Sequence, residues 1–170
     1  MGCGTISHKG KPSTPSNLNS ILGSHTSEKI KKTEALLGPL NYPLQEDSAL
    51  KYLKEKENAE GGYYEGQIRG GDKVFEGLGT IIYPRGEKYQ GYFKNGQRNG
   101  KGRQIWMDGS SYQGVYMDGA RHGHGVYSYA NGDKYDGGWC MNEKEGKGVY
   151  YKADGSVFFD GIWKYDNPSS

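Results

Sequence analysis

The sequence predicts an all-β protein: an elongated single-layer antiparallel β-sheet of hairpin repeats, preceded by a partly disordered tail with one or two short helices. Three observations carry this. First, Tyr89-Gln90-Gly91-Tyr92-Phe93, Tyr112-Gln113-Gly114-Val115-Tyr116 and Tyr135-Asp136-Gly137-Gly138-Trp139 open three copies of one pattern, at a constant step of 23 residues (89, 112, 135). Looser copies open at Tyr64 and, truncated, at Phe159. Second, Asn95-Gly96, Asp108-Gly109, Asp118-Gly119, Asn131-Gly132 and Asp154-Gly155 punctuate the copies with dipeptides that tolerate the positive φ of tight hairpin turns. Third, the runs between turns alternate with period two, the spacing of side chains on opposite faces of a strand.

That alternation sorts the residues. Tyr89, Gly91 and Phe93 fall on one face with Gly100, Gly102, Gln104 and Trp106, and Lys101, Arg103 and Ile105 fall behind. The next copy agrees, with Tyr112, Gly114, Tyr116, Tyr127 and Tyr129 against Gln113, Val115, His122, His124 and Val126. Rings alternate with bare glycines because a ring lies flat over a strand only where its neighbour has no Cβ. Each strand glycine costs about 0.5–1 kcal/mol relative to alanine. Each fully buried ring returns about 1.5–3 kcal/mol. The expected shape is a meander of about ten strands with a concave aromatic face and a polar back. Equivalent residues then recur two strands along, about 10 Å apart.

The Tyr-x-Gly-x-aromatic opening, the Gly-x-Gly that follows and the closing Gly resemble the MORN motif, the membrane occupation and recognition nexus repeat. The resemblance runs from about Tyr63 to Tyr165, with Ile68 replacing the aromatic in the first copy and Asn142-Glu143 replacing a turn Asn-Gly in the fourth. It implies a scaffold role of the kind relatives take at membrane junctions, in the cytoskeleton and in axonemes, and phospholipid contact by the repeats. Relatives that carry a kinase or methyltransferase domain set no expectation for this chain.

Taken in order, residues 1–26 are expected to form a flexible tail, 27–60 short helices that dock on the sheet, 61–165 the repeats (starting at 64, 89, 112, 135 and a partial copy at 159), and 166–170 a tail. Met1-Gly2-Cys3 is an arrangement in which Gly2 takes myristate and Cys3 palmitate, the two chains a stable anchor needs. Against it, Ile6 occupies the place of the usual Ser or Thr, and an unmodified terminus is the alternative. Lys9, Lys11, Lys29, Lys31 and Lys32 would add attraction to an anionic membrane. One helix is expected from Ser27 to Leu37, with Ile30, Ala35, Leu36 and Leu37 as its apolar stripe and Gly38-Pro39 as its stop. A second is expected from Asp47 or Ser48 to Lys56. The helices would cap the first strand or lie in the aromatic groove.

No catalytic residue is expected, nor a cofactor or metal. His122 and His124 share a strand face, but the same positions hold Asn99 and Lys101 one copy earlier and Glu145 and Lys147 one copy later, as variable solvated sites do. Cys140 lacks a patterned histidine, and Asp133, Asp136, Glu143 and Glu145 read as turn and rim charges. A net charge of +2 argues against nucleic acid, and the two cysteines, Cys3 and Cys140, do not make a disulfide framework. The expected compartment is cytoplasmic, at a membrane periphery or on the cytoskeleton or a cilium.

The working surface is then the groove of Tyr64, Ile68, Tyr89, Phe93, Trp106, Tyr112, Tyr116, Tyr129, Tyr135, Trp139, Phe159 and Trp163. It suits a protein partner, an amphipathic helix or extended peptide, held by a non-catalytic scaffold. The rivals are a structural role in a ciliary or cytoskeletal assembly and direct phospholipid binding by the repeats.

Overall fold

A computed structural model describes residues 26–57, 61–71 and 73–169. One helix, α1 (Glu28–Leu37), precedes strands β1 (Leu50–Glu57), β2 (Tyr63–Arg69), β3 (Val74–Ile82), β4 (Lys88–Lys94), β5 (Gln97–Ile105), β6 (Ser111–Met117), β7 (Ala120–Ser128), β8 (Lys134–Cys140), β9 (Glu143–Tyr151), β10 (Val157–Lys164) and β11 (Asn167–Ser169). Each strand pairs antiparallel with the next, so the 11 strands form one open meander in sequence order. The acylation positions Gly2 and Cys3, and the stretch expected as a flexible tail up to residue 25, lie outside the described residues.

Two expectations at the ends of the array are corrected. The second helix is instead β1, which pairs with β2 from Leu50 opposite Arg69. Leu50, Tyr52 and Leu53 are too few apolar positions to hold a short helix alone, and the open edge of β2 supplies hydrogen-bond partners that such a helix lacks. At the other end, Asn167–Ser169 pairs with β10 rather than trailing as a tail.

The register lines up the glycines. Gly66, Gly79, Gly91, Gly102, Gly114, Gly125, Gly137, Gly148 and Gly161 are consecutive cross-strand partners, a bare track perpendicular to the strands. The opening tyrosine of each copy lies over this track. A Cβ built on Gly102 would overlap the Tyr89 hydroxyl and ring, and one on Gly125 would overlap Tyr112. The first glycine of each Gly-x-Gly does something else. Gly100 has φ +92 at an irregularity in the β4–β5 ladder, where Gly91 pairs with Gly102 but Phe93 pairs with Arg98. The sequence reads both glycines as regular strand positions, whereas the first of them marks a bulge.

The turns divide into two kinds. Asn95-Gly96 and Asp118-Gly119 have positive φ at both residues, as do Met141-Asn142 and Tyr165-Asp166 in the later copies. At Asp108-Gly109, Asn131-Gly132 and Asp154-Gly155 only the glycine does. There the Asx side chain accepts from the backbone N–H two residues on, at Ser110, Asp133 and Ser156.

Helix α1 begins at Ser27, whose Oγ accepts from the Ile30 N–H, and stops at Gly38, whose N–H donates to the Glu34 carbonyl. It docks on the back of the sheet rather than in the groove. Ile30 is fully buried, while Leu36 is 81% exposed and Ala35 also faces outward. Of the stripe expected from the sequence, Ile30 is on the docking face and Leu37 is half-buried, whereas Ala35 and Leu36 are not on it. Lys88 Nζ meets Glu34 Oε1 at 2.8 Å, and the buried Arg103 donates to the Gly38 and Leu37 carbonyls at the carboxyl end of the helix. From there residues 38–47 cross the strands. The Tyr42 ring stacks on Tyr92, whose hydroxyl donates to the Pro43 carbonyl, and the Gln67 amide pairs with both the N–H and the carbonyl of Gln45. Beneath this cover Leu78, Ile82 and Ile105 are buried, so this part of the back is not the polar surface expected.

Candidate functional site

The front face brings every predicted groove residue into one cluster: Tyr64, Ile68, Tyr89, Phe93, Tyr112, Tyr116, Tyr135, Trp139 and Trp163 are buried in it, and Trp106, Tyr129 and Phe159 pack half-buried against it. The buried rings form a zigzag of edge-to-face contacts. Tyr64 meets Phe93, which meets Tyr89, and the series continues through Tyr116, Tyr112, Trp139, Tyr135 and Trp163 to Phe159, with centroids 5.1–5.6 Å apart. Each anchor ring thus touches the opening tyrosine of its own copy and of the previous one. The hydroxyls of the opening tyrosines are satisfied locally, Tyr89 donating to the Tyr92 carbonyl and Tyr112 to the Val115 carbonyl, whereas the buried Tyr116 hydroxyl has no hydrogen-bond partner among the described residues. Trp139 and Trp163 donate to the Gly125 and Gly148 carbonyls.

Burial of this kind disfavours the phenolate. It raises the Tyr64, Tyr89, Tyr112 and Tyr116 hydroxyls far above the ordinary tyrosine range. Tyr135, the equivalent ring one copy later, is pushed up to about 12 for the same reason.

A second row of rings lies outside the first and stays half-exposed. Trp106, Tyr127, Tyr129 and Tyr150 follow one another with centroids 4.6–5.5 Å apart, and Phe158 extends the row beyond Tyr150. Tyr127 and Tyr150 are absent from the groove predicted by sequence, although both sit where the alternation places front-face residues. Their hydroxyls donate to Ser110 and Asp133, equivalent positions one copy apart. Asp133 is not the rim charge expected. It is buried, accepts from Tyr150 and from the Ala153 N–H, and has Lys152 at 3.6 Å. The Tyr150 hydrogen bond is the leading cause that holds its carboxyl below the ordinary range.

Sequence reasoning also missed a row of cations. Arg98, Arg121 and Lys144 recur at the 23-residue step, each just after a hairpin turn, and their side chains lie over the rings. Arg98 sits 5.0 Å above Tyr116, Arg121 4.3 Å above Trp139, and Lys144 4.4 Å above Trp163. Phe75 holds the same position in the first copy, stacked on Tyr64 at 3.7 Å. The signal was available in the alternation, since Arg98 is even-spaced from Gly100 and Gly102. Backbone carbonyls at these positions also tie the copies together, those of Phe75, Arg98, Arg121 and Lys144 accepting from Gly96, Gly119, Asn142 and Asp166 in the next turn.

His122 and His124 do not converge with other ligands. His124 faces Asp136 at 3.2 Å, and no group of His, Cys, Asp or Glu suited to a metal ion occurs among the described residues. Cys140 is exposed. No described helix is long and apolar enough to cross a membrane.

A one-layer sheet of recurring hairpins, each stacked on its neighbours, defines a repeat-array protein. Residues 89–111, 112–134 and 135–157 match the MORN repeat family model as three consecutive copies, so the chain carries MORN repeats over this stretch. MORN arrays are in general non-enzymatic repeat modules. No curated protein matches the chain.

Proposed function

We propose that this chain is a scaffold whose front face holds a partner peptide or helix across the strands, and that acylation of Gly2 and Cys3 tethers it to a membrane. The observation that carries the reading is the second ring row. The first row is satisfied by glycines, neighbouring rings and cations, whereas Trp106, Tyr127, Tyr129 and Tyr150 remain half-exposed as a continuous aromatic strip with polar tips. Such strips bind extended or helical segments through a few anchors. The same sheet already accepts a crossing segment on its other side, where residues 38–47 are held by Tyr92 and Gln67.

Selection of peptides from a random displayed library on the intact chain tests the reading. Selected peptides should compete for one site and lose affinity on Trp106→Ala and Tyr129→Ala, with the fold unchanged by circular dichroism. Peptides that bind equally well to both variants would place the partner elsewhere. Labelling with a myristate analogue tests the tether. Wild type should take the label and Gly2→Ala should not, and equal labelling removes the anchor.

A further inference from the structure

We infer that the occupant of the front face is an acidic, left-handed extended peptide with a carboxylate at every third residue. The inference rests on the groove reading above and specifies its chemistry. Arg98, Arg121 and Lys144 stand two strands apart from one another, so they form a ladder with rungs about 10 Å apart. Among the described residues none of the three lies within ion-pair distance of a carboxylate, unlike Lys88, Arg69 and Lys152. Two of them spend part of their hydrogen-bonding capacity on the protein, Arg98 on the Gln104 side chain and Gly119 carbonyl, and Arg121 on the Asn142 carbonyl. A guanidinium has five N–H donors, so each keeps others for an incoming oxygen. Burial disfavours the Lys144 ammonium first of all, the Asp166 carboxylate nearby favours it, and the charge of Arg121 disfavours it again. The ladder is therefore a cationic strip resting on rings, with no described carboxylate in direct ion-pair contact and Asp166 as the acid nearest in effect to its last rung, and an anion is attracted to it.

The period selects the conformation. A polyproline II chain turns once per three residues and rises about 3.1 Å per residue, which puts side chains i, i+3 and i+6 on one side about 9.3 Å apart. That matches the rungs, and its prolines suit an aromatic strip such as Trp106, Tyr129 and Tyr150. The chain's own crossing segment, with Pro39 and Pro43, is likewise neither helix nor strand where it lies on the back of the sheet.

The test titrates the intact chain with the synthetic peptide (Glu-Pro-Pro)5, with (Gln-Pro-Pro)5, and with a peptide of equal charge whose glutamates fall at every fourth residue. The expected result is binding of the first at least about tenfold tighter than the second, weakening as salt rises, and several-fold tighter than the third. Arg98→Gln, Arg121→Gln and Lys144→Gln should each reduce it several-fold, and Lys101→Gln on the back should not. Equal binding of the Glu and Gln peptides overturns the acidic assignment but leaves the groove reading standing. No binding of either overturns it too, since library-selected peptides report separately on the groove. Flotation with phosphatidylserine vesicles that depends on the same three cations, with no peptide binding, assigns the ladder to a membrane surface instead.

Discussion

Across β2 to β6 the back of the sheet is roofed by α1 and the crossing segment, whereas from β8 onward the side chains on that face are half-buried or exposed. The front is alike in both regions. Tyr89 and Tyr135 are each 0% exposed, one beneath Arg98 and one beneath Lys144. Residues at equivalent back positions have changed with the cover. Ile82 and Ile105 are buried where the chain roofs them, and Ser128 and Tyr151 take the same place where it does not. Lys88 is buried against Glu34, whereas Lys134 lies over the Tyr151 ring at 4.4 Å. The hairpins therefore stand on their front face alone, and the back cover is a local addition that shaped the residues beneath it. This is the behaviour of a nearest-neighbour array.

The largest break in the comparison should come from the shared face. Tyr89→Ala and Tyr135→Ala each remove a fully buried ring from above the glycine track, and each should cost about 3–5 kcal/mol. Thermal or urea unfolding checks both. Near-equal losses support a common front, and a loss confined to Tyr89→Ala would mean that the covered region is held from behind.

Alkali probes the same face without mutation. The buried tyrosines keep their protons in the folded chain at pH values where the unfolded chain ionises near 10. The folded state then holds more protons, so their contribution is intact below pH 10 and is lost as the pH rises above it. Tyrosinate absorbance should rise steeply, together with the loss of tertiary circular dichroism. A smooth titration centred on 10 with the fold retained would contradict the burial. In acid the sign reverses for Asp133, whose carboxyl is held low by Tyr150. Asp133→Asn should be less stable than wild type at neutral pH, and the two should converge as the pH falls below the carboxylate range.

A smaller effect should separate the regions. Ile30→Ala removes the fully buried side chain of α1 and should weaken docking by about 2–4 kcal/mol. Hydrogen exchange should rise in α1 and residues 38–47 and stay unchanged from β7 to β10. Leu36→Ala, at 81% exposure, should leave exchange unaltered.

The array was legible in the sequence because its physics is periodic. Glycine track, opening tyrosine and turn dipeptides recur at fixed offsets, and local chemistry decides each of them. Docking of α1 is not periodic. It depends on burial of Ile30 and on Glu34 and the helix carboxyl end meeting Lys88 and Arg103, partners that no spacing rule links. The strand at Leu50–Glu57 was misread because the apolar residues of LKYLKEKE, at 50, 52 and 53, make no clear pattern of either kind, and only the free edge of β2 decides. The cation row was written in the period but hidden by a habit of assigning charges to the solvated side. Cation–ring stacking keeps Arg121 on the aromatic face.

The finest test lies at the uncovered end. Met141 occupies the turn position held by Asn95 and Asp118 in earlier copies, and adopts the same left-handed conformation, with φ 48. Asn and Asp tolerate that region through their short polar side chains, and a long unbranched residue does not. Met141 is 65% exposed, so little packing is lost on replacement. Met141→Asn should therefore stabilise the chain by about 0.5–1 kcal/mol, read as an increase in urea midpoint with unchanged slope. Because no cover lies behind this hairpin, the gain should appear undiluted whether or not Ile30→Ala is present, and additivity in the double variant measures how independently the two regions stand. A loss of stability would show instead that the Met141 side chain packs on something that the single sheet does not supply, such as a second copy meeting it at this end.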